Sequence, residues 1–414
     1  MQLSPGTTVS EFETAHEKVK QLIRISNNDE QTSFDVIVLG VGSMGSSACY
    51  HLAKQGIKVL GLEQFDVPNE MSSHLGQSRI IRKAYFEHPG YVPLLERAYH
   101  NWQALENETG TRVYFETGLL YCGKPVHEMI KGINDSAKQY NIKLDRLSTE
   151  DMATKYPQLN IPGHYEKLYE PAAGFITPER AILSFTEKAL QNGAVIKTKQ
   201  PVLTWSKIKD GIQVTTASGN YFAKKLVITA GPWAGKMIPG LSSVLQITRQ
   251  MLAWVIPKNI SSFELGSFPC WMIADDDKPG CYYGFPVLPV GRFYGPIGFK
   301  LAYHHPGAIT DPDKINRNST AEDEFNLIYA LNKFFPGAYV STHVMKACMY
   351  CNTPDENFIL DFLPGFDKDV VIAAGFSGHG FKFASVVGEI MSDLALKGAT
   401  PLPVGFLNAL RFEK

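Results

Sequence analysis

The strongest constraint lies near the start of the chain. An aliphatic run, Val36-Ile37-Val38-Leu39, leads into Gly40-Val41-Gly42-Ser43-Met44-Gly45, then a helical stretch, Ser46 to Gln55, stopped by Gly56. A second apolar segment, Lys58 to Leu62, ends on Glu63 and Gln64. Strands apolar on both faces need helices above and below, which commits this region to an α/β fold with a parallel sheet. Gly40 permits the tight turn, Gly42 lets backbone approach a pyrophosphate, and Gly45 lets helix and strand pack closely. The helix N-terminus then offers free N–H groups and partial positive charge to phosphates. Glu63 is placed to accept from ribose hydroxyls, which favours a free 2′-hydroxyl over NADP. The pattern predicts a dinucleotide site and leaves NAD and FAD both open.

Charge narrows the partners. The chain has 414 residues, with 40 Lys and Arg against 41 Asp and Glu and a formal charge of -1. No basic stripe is present, so nucleic acid is not an expected partner. No window approaches the roughly 18 consecutive apolar residues of a membrane span, so no membrane partner is expected. Residues 1–33 mix acids and bases, unlike a secretory or transit peptide, which points to the cytoplasm. Within them, Val9, Phe12, Ala15, Val19, Leu22 and Ile23 recur at helical spacing and predict a surface helix or mobile arm. Six cysteines are too sparse for a disulfide framework in a chain this long, and reduced thiols are expected.

Further α/β material follows. Pro178 to Gln191 reads as a helix with proline in its first turn. Gly193–Lys197 and Val202–Trp205 read as strands, and Gly211–Thr216 with Asn220–Ala223 as a hairpin. Lys225 to Gly231 is an apolar strand ending in small residues, with Trp233 after it. Between about 247 and 345 the character changes to alternating strands (Met251–Ile256, Gly280–Phe285), prolines and a charged helix, Glu322–Phe334. Val370 to Gly375 returns to the buried-strand style. We therefore expect a Rossmann-type nucleotide domain built from residues 34–118, 177–246 and 346–414. An antiparallel α+β substrate domain would comprise 119–176 and 247–345, with 1–33 as an arm.

Several motifs then converge: Ser78-Arg79-Ile80-Ile81-Arg82, Tyr283-Gly284-Phe285-Pro286, Lys300-Leu301-Ala302-Tyr303-His304, Cys348-Met349-Tyr350, and Gly375-Phe376-Ser377-Gly378-His379-Gly380-Phe381-Lys382-Phe383. In order and spacing, from about residue 34 onward, the chain resembles the monomeric sarcosine oxidase and N-methyltryptophan oxidase family. The resemblance implies FAD joined by an 8α-S-cysteinyl bond to Cys348. It implies that Arg82, Lys382 and Tyr350 bind substrate. Lys300 would activate oxygen, with Arg79, Tyr283 and His304 as further active-site positions. Cofactor contacts would extend from the glycine turn to Ser73, Ser78, Arg79, Ile80, Val202, Gly231, Trp233 and Met349, and through Gly375, Phe376, Gly378, His379, Gly380, Phe381 and Lys382. A monomer is implied, and no metal.

The chemistry fits those side chains. A planar guanidinium grips a carboxylate while an ammonium adds a point charge, which fixes the substrate amine over a flavin. The flavin carries the redox step. A cation about 4 Å from developing negative charge contributes roughly 4 kcal/mol at an effective dielectric near 20, a role open to Lys300. The expected reaction is sarcosine with O2 and water giving glycine, formaldehyde and hydrogen peroxide. N-methyl-L-tryptophan, pipecolate and proline are alternative substrates, and a dehydrogenase with another acceptor is an alternative class.

Plainer roles exist for the same residues. Arg79 and Arg82 would also suit a solvated face, Lys382 a snorkelling position and His304 a surface turn. Cys348 and Cys351 have the spacing of a redox dithiol, whereas a zinc site would need a second pair. Two positions depart from the family: Leu75 and Lys83 stand where histidines are common. Leu75 puts the completeness of flavin attachment in doubt.

Overall fold

The first strand, Ser33–Leu39, pairs in parallel with Val59–Leu62 on one side and Gly219–Ile228 on the other. This computed structural model describes residues 8–27 and 30–412. The parallel set extends to Val195–Lys197 at one end and Val370–Ala374 at the other. Val36, Ile37 and Val38 are fully buried, as strands covered on both faces require. Helices Ser43–Ala53, Pro178–Gln191 and Ala384–Lys397 pack together on one face.

Two expectations shift here. The helix after the glycine turn begins at Ser43, with Gly42 as its N-cap, so Met44 and Gly45 form its first turn. The hairpin's second strand runs unbroken through Lys224 to Ile228. Its first half pairs with Gly211–Thr216 and its second with Val370–Ala374, so one strand joins both parts of the sheet.

A second sheet of eight strands uses segments from 119–170 and 246–352. Its longest strand, Tyr339–Asn352, pairs along Gln246–Pro257 and runs across the expected boundary at 345/346. Helix Ala321–Phe334, capped by Thr320 and Asp323, covers one face through Leu327, Ala330, Leu331 and Phe334. The opposite face carries functional side chains at alternate positions. Tyr283 lies opposite Ala302, Lys300 opposite Trp254, and Cys348 opposite Gln250. With a period of two, Tyr283, Lys300, His304, Cys348 and Tyr350 share that face. A small sheet of Arg79–Ile81, Tyr114–Glu116 and Gly174–Ile176 completes the structure.

The arm is a docked helix, Val9–Ser26, closed at its N-terminus by a Thr8–Glu11 capping box. Phe12, Val19 and Ile23 are buried against the nucleotide domain, and helix Pro178–Gln191 is its main contact. Phe12 also stacks on Tyr294 at 4.4 Å between ring centres.

Candidate active site

One cavity runs from the glycine turn to the functional face of the second sheet. At its nucleotide end, Gly40 has φ +86°, and a Cβ on Gly45 would overlap the Gly40 carbonyl oxygen, so the turn closes only with glycine. Gly40, Gly42, Ser43 and Met44 line the cavity, while Val41 and Gly45 lie behind it. Glu63 and Gln64 line it as well. The Glu63 carboxylate accepts from the backbone N–H of Val41 and of Phe65, each at 2.9 Å. It therefore braces the turn. Burial pushes it up, against those two hydrogen bonds.

The same cavity is lined by Ser73, Arg79, Ile80, Val202, Gly231, Trp233, Cys348 and Met349. From the C-terminal loop it gathers Gly375, Phe376, Gly378, His379, Gly380, Phe381 and Lys382. Gly378 has φ +78°, and a Cβ there would drive into the Tyr350 ring, which explains glycine at that point. Arg79 donates to the carbonyl oxygens of Ser78, Ser73 and Leu75 at 2.9, 3.1 and 2.6 Å. Its guanidinium thus lines the cavity with three backbone carbonyls as its partners.

His74 was not anticipated. It is buried beside Gly42, and its Nε2 has no hydrogen-bond partner among the described residues. Burial, with Arg79 nearby, pushes it down to about 3, so it is a neutral ring at neutral pH. A buried polar atom without a partner is costly, and a ligand group beside the phosphate turn would satisfy it. With the glycine turn, this makes the cavity a good fit for FAD.

Cys348 packs with Leu75, Leu252, Trp254 and Ala302. Burial pushes its thiol up, against the pull of Arg79, Lys300 and Arg317. Cys351 points to the other face of the same strand, into the core below the nucleotide sheet. The two sulfurs therefore do not form a dithiol, whatever their spacing. Leu75 completes the apolar cluster around Cys348, while the Lys83 ammonium lies over the Tyr99 ring, 5.0 Å from its centre.

Lys300 lies behind the cavity wall. Its Nζ donates to the Gly76 carbonyl, to the Ser78 carbonyl at 2.7 Å and to Ser78 Oγ at 3.1 Å. The rings of Phe285 and Trp254 flank it at 4.5 and 5.3 Å. Burial and Arg79 drive it well down, while three oxygens and two ring faces favour the ammonium. Ser78 thus holds Lys300 and Arg79 rather than facing the cavity.

At the far end lie Arg82, Lys382, Tyr350, His304 and Tyr283. The His304 Nδ1 and Tyr350 hydroxyl are 3.2 Å apart. Burial pushes His304 down to about 4 and Tyr283 up to about 12, so both are neutral at pH 7. Arg82 donates to the Ala84 carbonyl at 2.9 Å, and one of its Nη atoms reaches both oxygens of Glu87, at 2.6 and 2.8 Å. Glu87 escaped the sequence reading because nothing in its spacing marks a carboxylate as a buried partner. Burial opposes its charge, yet Arg82, with His379 and Lys382 beyond, holds it down at about 2. Lys382 donates to the His379 carbonyl at 2.7 Å, and burial with Arg82 nearby brings it down to about 7. The described residues hold no cluster suited to a metal, and no described helix is long and apolar enough to cross a membrane.

Phosphate-binding backbone at one end of a cavity and buried cations at the other are the layout of a nucleotide-dependent redox enzyme. The comparisons specify which kind. The chain belongs to the FAD dependent oxidoreductase family, which its residues 35–394 match. It is 38% identical over 385 residues to a monomeric sarcosine oxidase from Bacillus sp. (strain NS-129), covering 92% of this chain and 97% of that one. It is 32% identical over 382 residues to an N-methyl-L-tryptophan oxidase from Yersinia pestis (strain Pestoides F), covering 92% of this chain and all of that one. Among solved structures, NikD, described as an unusual amino acid oxidase essential for nikkomycin biosynthesis, shares the fold at a TM-score of 0.79 and 22% identity, over 91% of this chain and 98% of its own. L-proline dehydrogenase from P. horikoshii does so at 0.78 and 22%, over 92% and 98%.

Proposed function

We propose that this protein is an oxidase of secondary amino acids, sarcosine first among them, that passes electrons to O2 and carries its FAD on Cys348. The observation that carries this reading is the pairing of Arg82 and Lys382, two buried cations lining the cavity end farthest from the glycine turn. A carboxylate placed between them exchanges the Glu87 contact for a substrate contact and holds the adjacent amine in one orientation. Neutral His304 and the Tyr350 hydroxyl can then take a hydrogen bond from that amine without bringing a charge of their own. FAD, when bound, supplies the two-electron acceptor. Arg79, held by three carbonyls, keeps a fixed positive charge toward the cavity, and Lys300 stands one layer behind. The names of the relatives support sarcosine and N-methyl-L-tryptophan as substrates and a monomeric state.

Steady-state assay with sarcosine, N-methyl-L-tryptophan, pipecolate and proline, scoring peroxide, tests the reading. Turnover of at least one is expected, and turnover of none defeats it. Yellow colour staying with the acid-precipitated protein, and lost in Cys348→Ser, is the expected sign of a covalent flavin. A second reading, a dehydrogenase using another acceptor, draws support from the full engagement of Lys300 by Gly76 and Ser78. Lys300→Met separates the two. Many-fold slower reoxidation by air with flavin reduction intact favours the oxidase, and unchanged reoxidation favours the dehydrogenase.

A further inference from the structure

The two cations of the clamp share one support. Tyr85 is fully buried, and the Arg82 guanidinium carbon lies 4.2 Å from its ring centre. Its hydroxyl oxygen is 3.5 Å from Lys382 Nζ and 2.6 Å from Nδ1 of His379. The other nitrogen of His379, Nε2, lies 2.9 Å from the Glu356 backbone carbonyl.

Proton positions follow from this order. A carbonyl only accepts, so Nε2 carries the hydrogen, and Nδ1 of a neutral ring is left as an acceptor. Burial keeps that ring neutral, pushing it down to about 3. The Tyr85 hydroxyl therefore donates to Nδ1. Its oxygen presents lone pairs, and no hydrogen, to Lys382.

We propose that Tyr85 and His379 are positioning residues that keep Lys382 an aimed ammonium, by holding the tyrosine hydroxyl as an acceptor toward it. This rests on the reading of Arg82 and Lys382 as a clamp for a substrate carboxylate. Without the His379 ring the hydroxyl loses its 2.6 Å acceptor, keeps only the His379 backbone carbonyl at 3.4 Å, and can turn its hydrogen toward Lys382 and oppose its charge. With His379 in place the rotor is locked.

The arrangement acts where Lys382 is most sensitive. Burial, Arg82 and Arg79 oppose its charge, Glu87 favours it, and neutral His304 and His379 complete its charged and titratable surroundings with Tyr85. The balance leaves it near 7, so removal of one acceptor shifts the charged fraction within the neutral range. Tyr85→Phe removes the acceptor and leaves the ring beneath Arg82.

The test titrates the flavin-loaded protein with acetate, an anion without an amine, and reads the flavin absorbance change from pH 6 to 9. In the wild type, affinity falls as pH rises and Lys382 loses its proton. In Tyr85→Phe that fall moves to lower pH by about one unit, so that binding at pH 8 is roughly tenfold weaker. His379→Leu shifts it in the same direction. His379→Asn, whose side-chain oxygen can accept from Tyr85, retains the wild-type position. A Tyr85→Phe profile superimposed on the wild type overturns the proposal. Acetate that leaves the wild-type spectrum unchanged at every pH overturns the carboxylate clamp itself.

Discussion

The guanidinium of Arg82 and the carboxylate of Glu87 form a buried ion pair, with one nitrogen 2.6 and 2.8 Å from the two oxygens. The cation best placed to take a substrate carboxylate therefore already holds one from its own chain. Under the proposed clamp, a substrate carboxylate must displace Glu87 or share Arg82 with it, so part of the intrinsic affinity is spent on the exchange.

Glu87→Gln tests this exchange. The amide keeps the shape and removes the competing charge, so carboxylate ligands should bind about five- to tenfold more tightly at a pH low enough that Lys382, whose charge Glu87 favours, stays protonated. Thermal stability should fall, because breaking a buried pair by removing one partner costs about 3–5 kcal/mol. Ligand titration and calorimetry on the same sample read both effects.

Gly378→Ala should disturb the substrate end of the cavity without touching the nucleotide turn. The added methyl meets the Tyr350 ring and φ is +78°, so Tyr350 must move away from His304. We expect kcat/KM to fall at least tenfold, about 1.4 kcal/mol, when corrected for FAD content.

Acid should destabilise the protein earlier than its carboxylates require. His74, His304 and His379 are pushed down by burial to about 3, 4 and 3. Their stabilising effect is complete above the unfolded value near 6.5 and is lost as pH falls toward 3–4. Glu87 adds a further loss only below about 4.3, as pH approaches 2. Calorimetric scans should therefore show Tm lower at pH 5 than at pH 7, with proton uptake on unfolding at pH 5.

Phe12→Ala should release the arm. Phe12 is 4% exposed and stacks on Tyr294, so its loss removes up to about 3–5 kcal/mol of docking. Limited proteolysis should then cut within the arm helix, Val9–Ser26, faster than in the wild type.

The glycine turn was legible in the sequence because Gly40 and Gly45 leave no room for another residue, a constraint carried by neighbouring positions. The resemblance motifs also named the group at the far end of the cavity, Arg82, Tyr283, His304, Tyr350 and Lys382. The extended second strand of the hairpin was not legible, since Lys224 and Lys225 interrupt its apolar pattern at the point where it passes between two partners. Glu87 and Tyr85 were hidden for a different reason, and His379 was expected only as a cofactor contact. Tyr85 and His379 lie 294 positions apart, and their roles depend on hydrogen-bond direction, which spacing does not encode. Lys300 stood in a quoted motif, but two of its three partners are backbone oxygens, which carry no sequence signature.

Anaerobic mixing of the yellow protein with sarcosine, followed by admission of air, tests the central claim most directly. Flavin absorbance should bleach on mixing and return with air, with about one peroxide per flavin reduced. Absorbance that stays unbleached with sarcosine and with every other secondary amino acid tried would contradict the account.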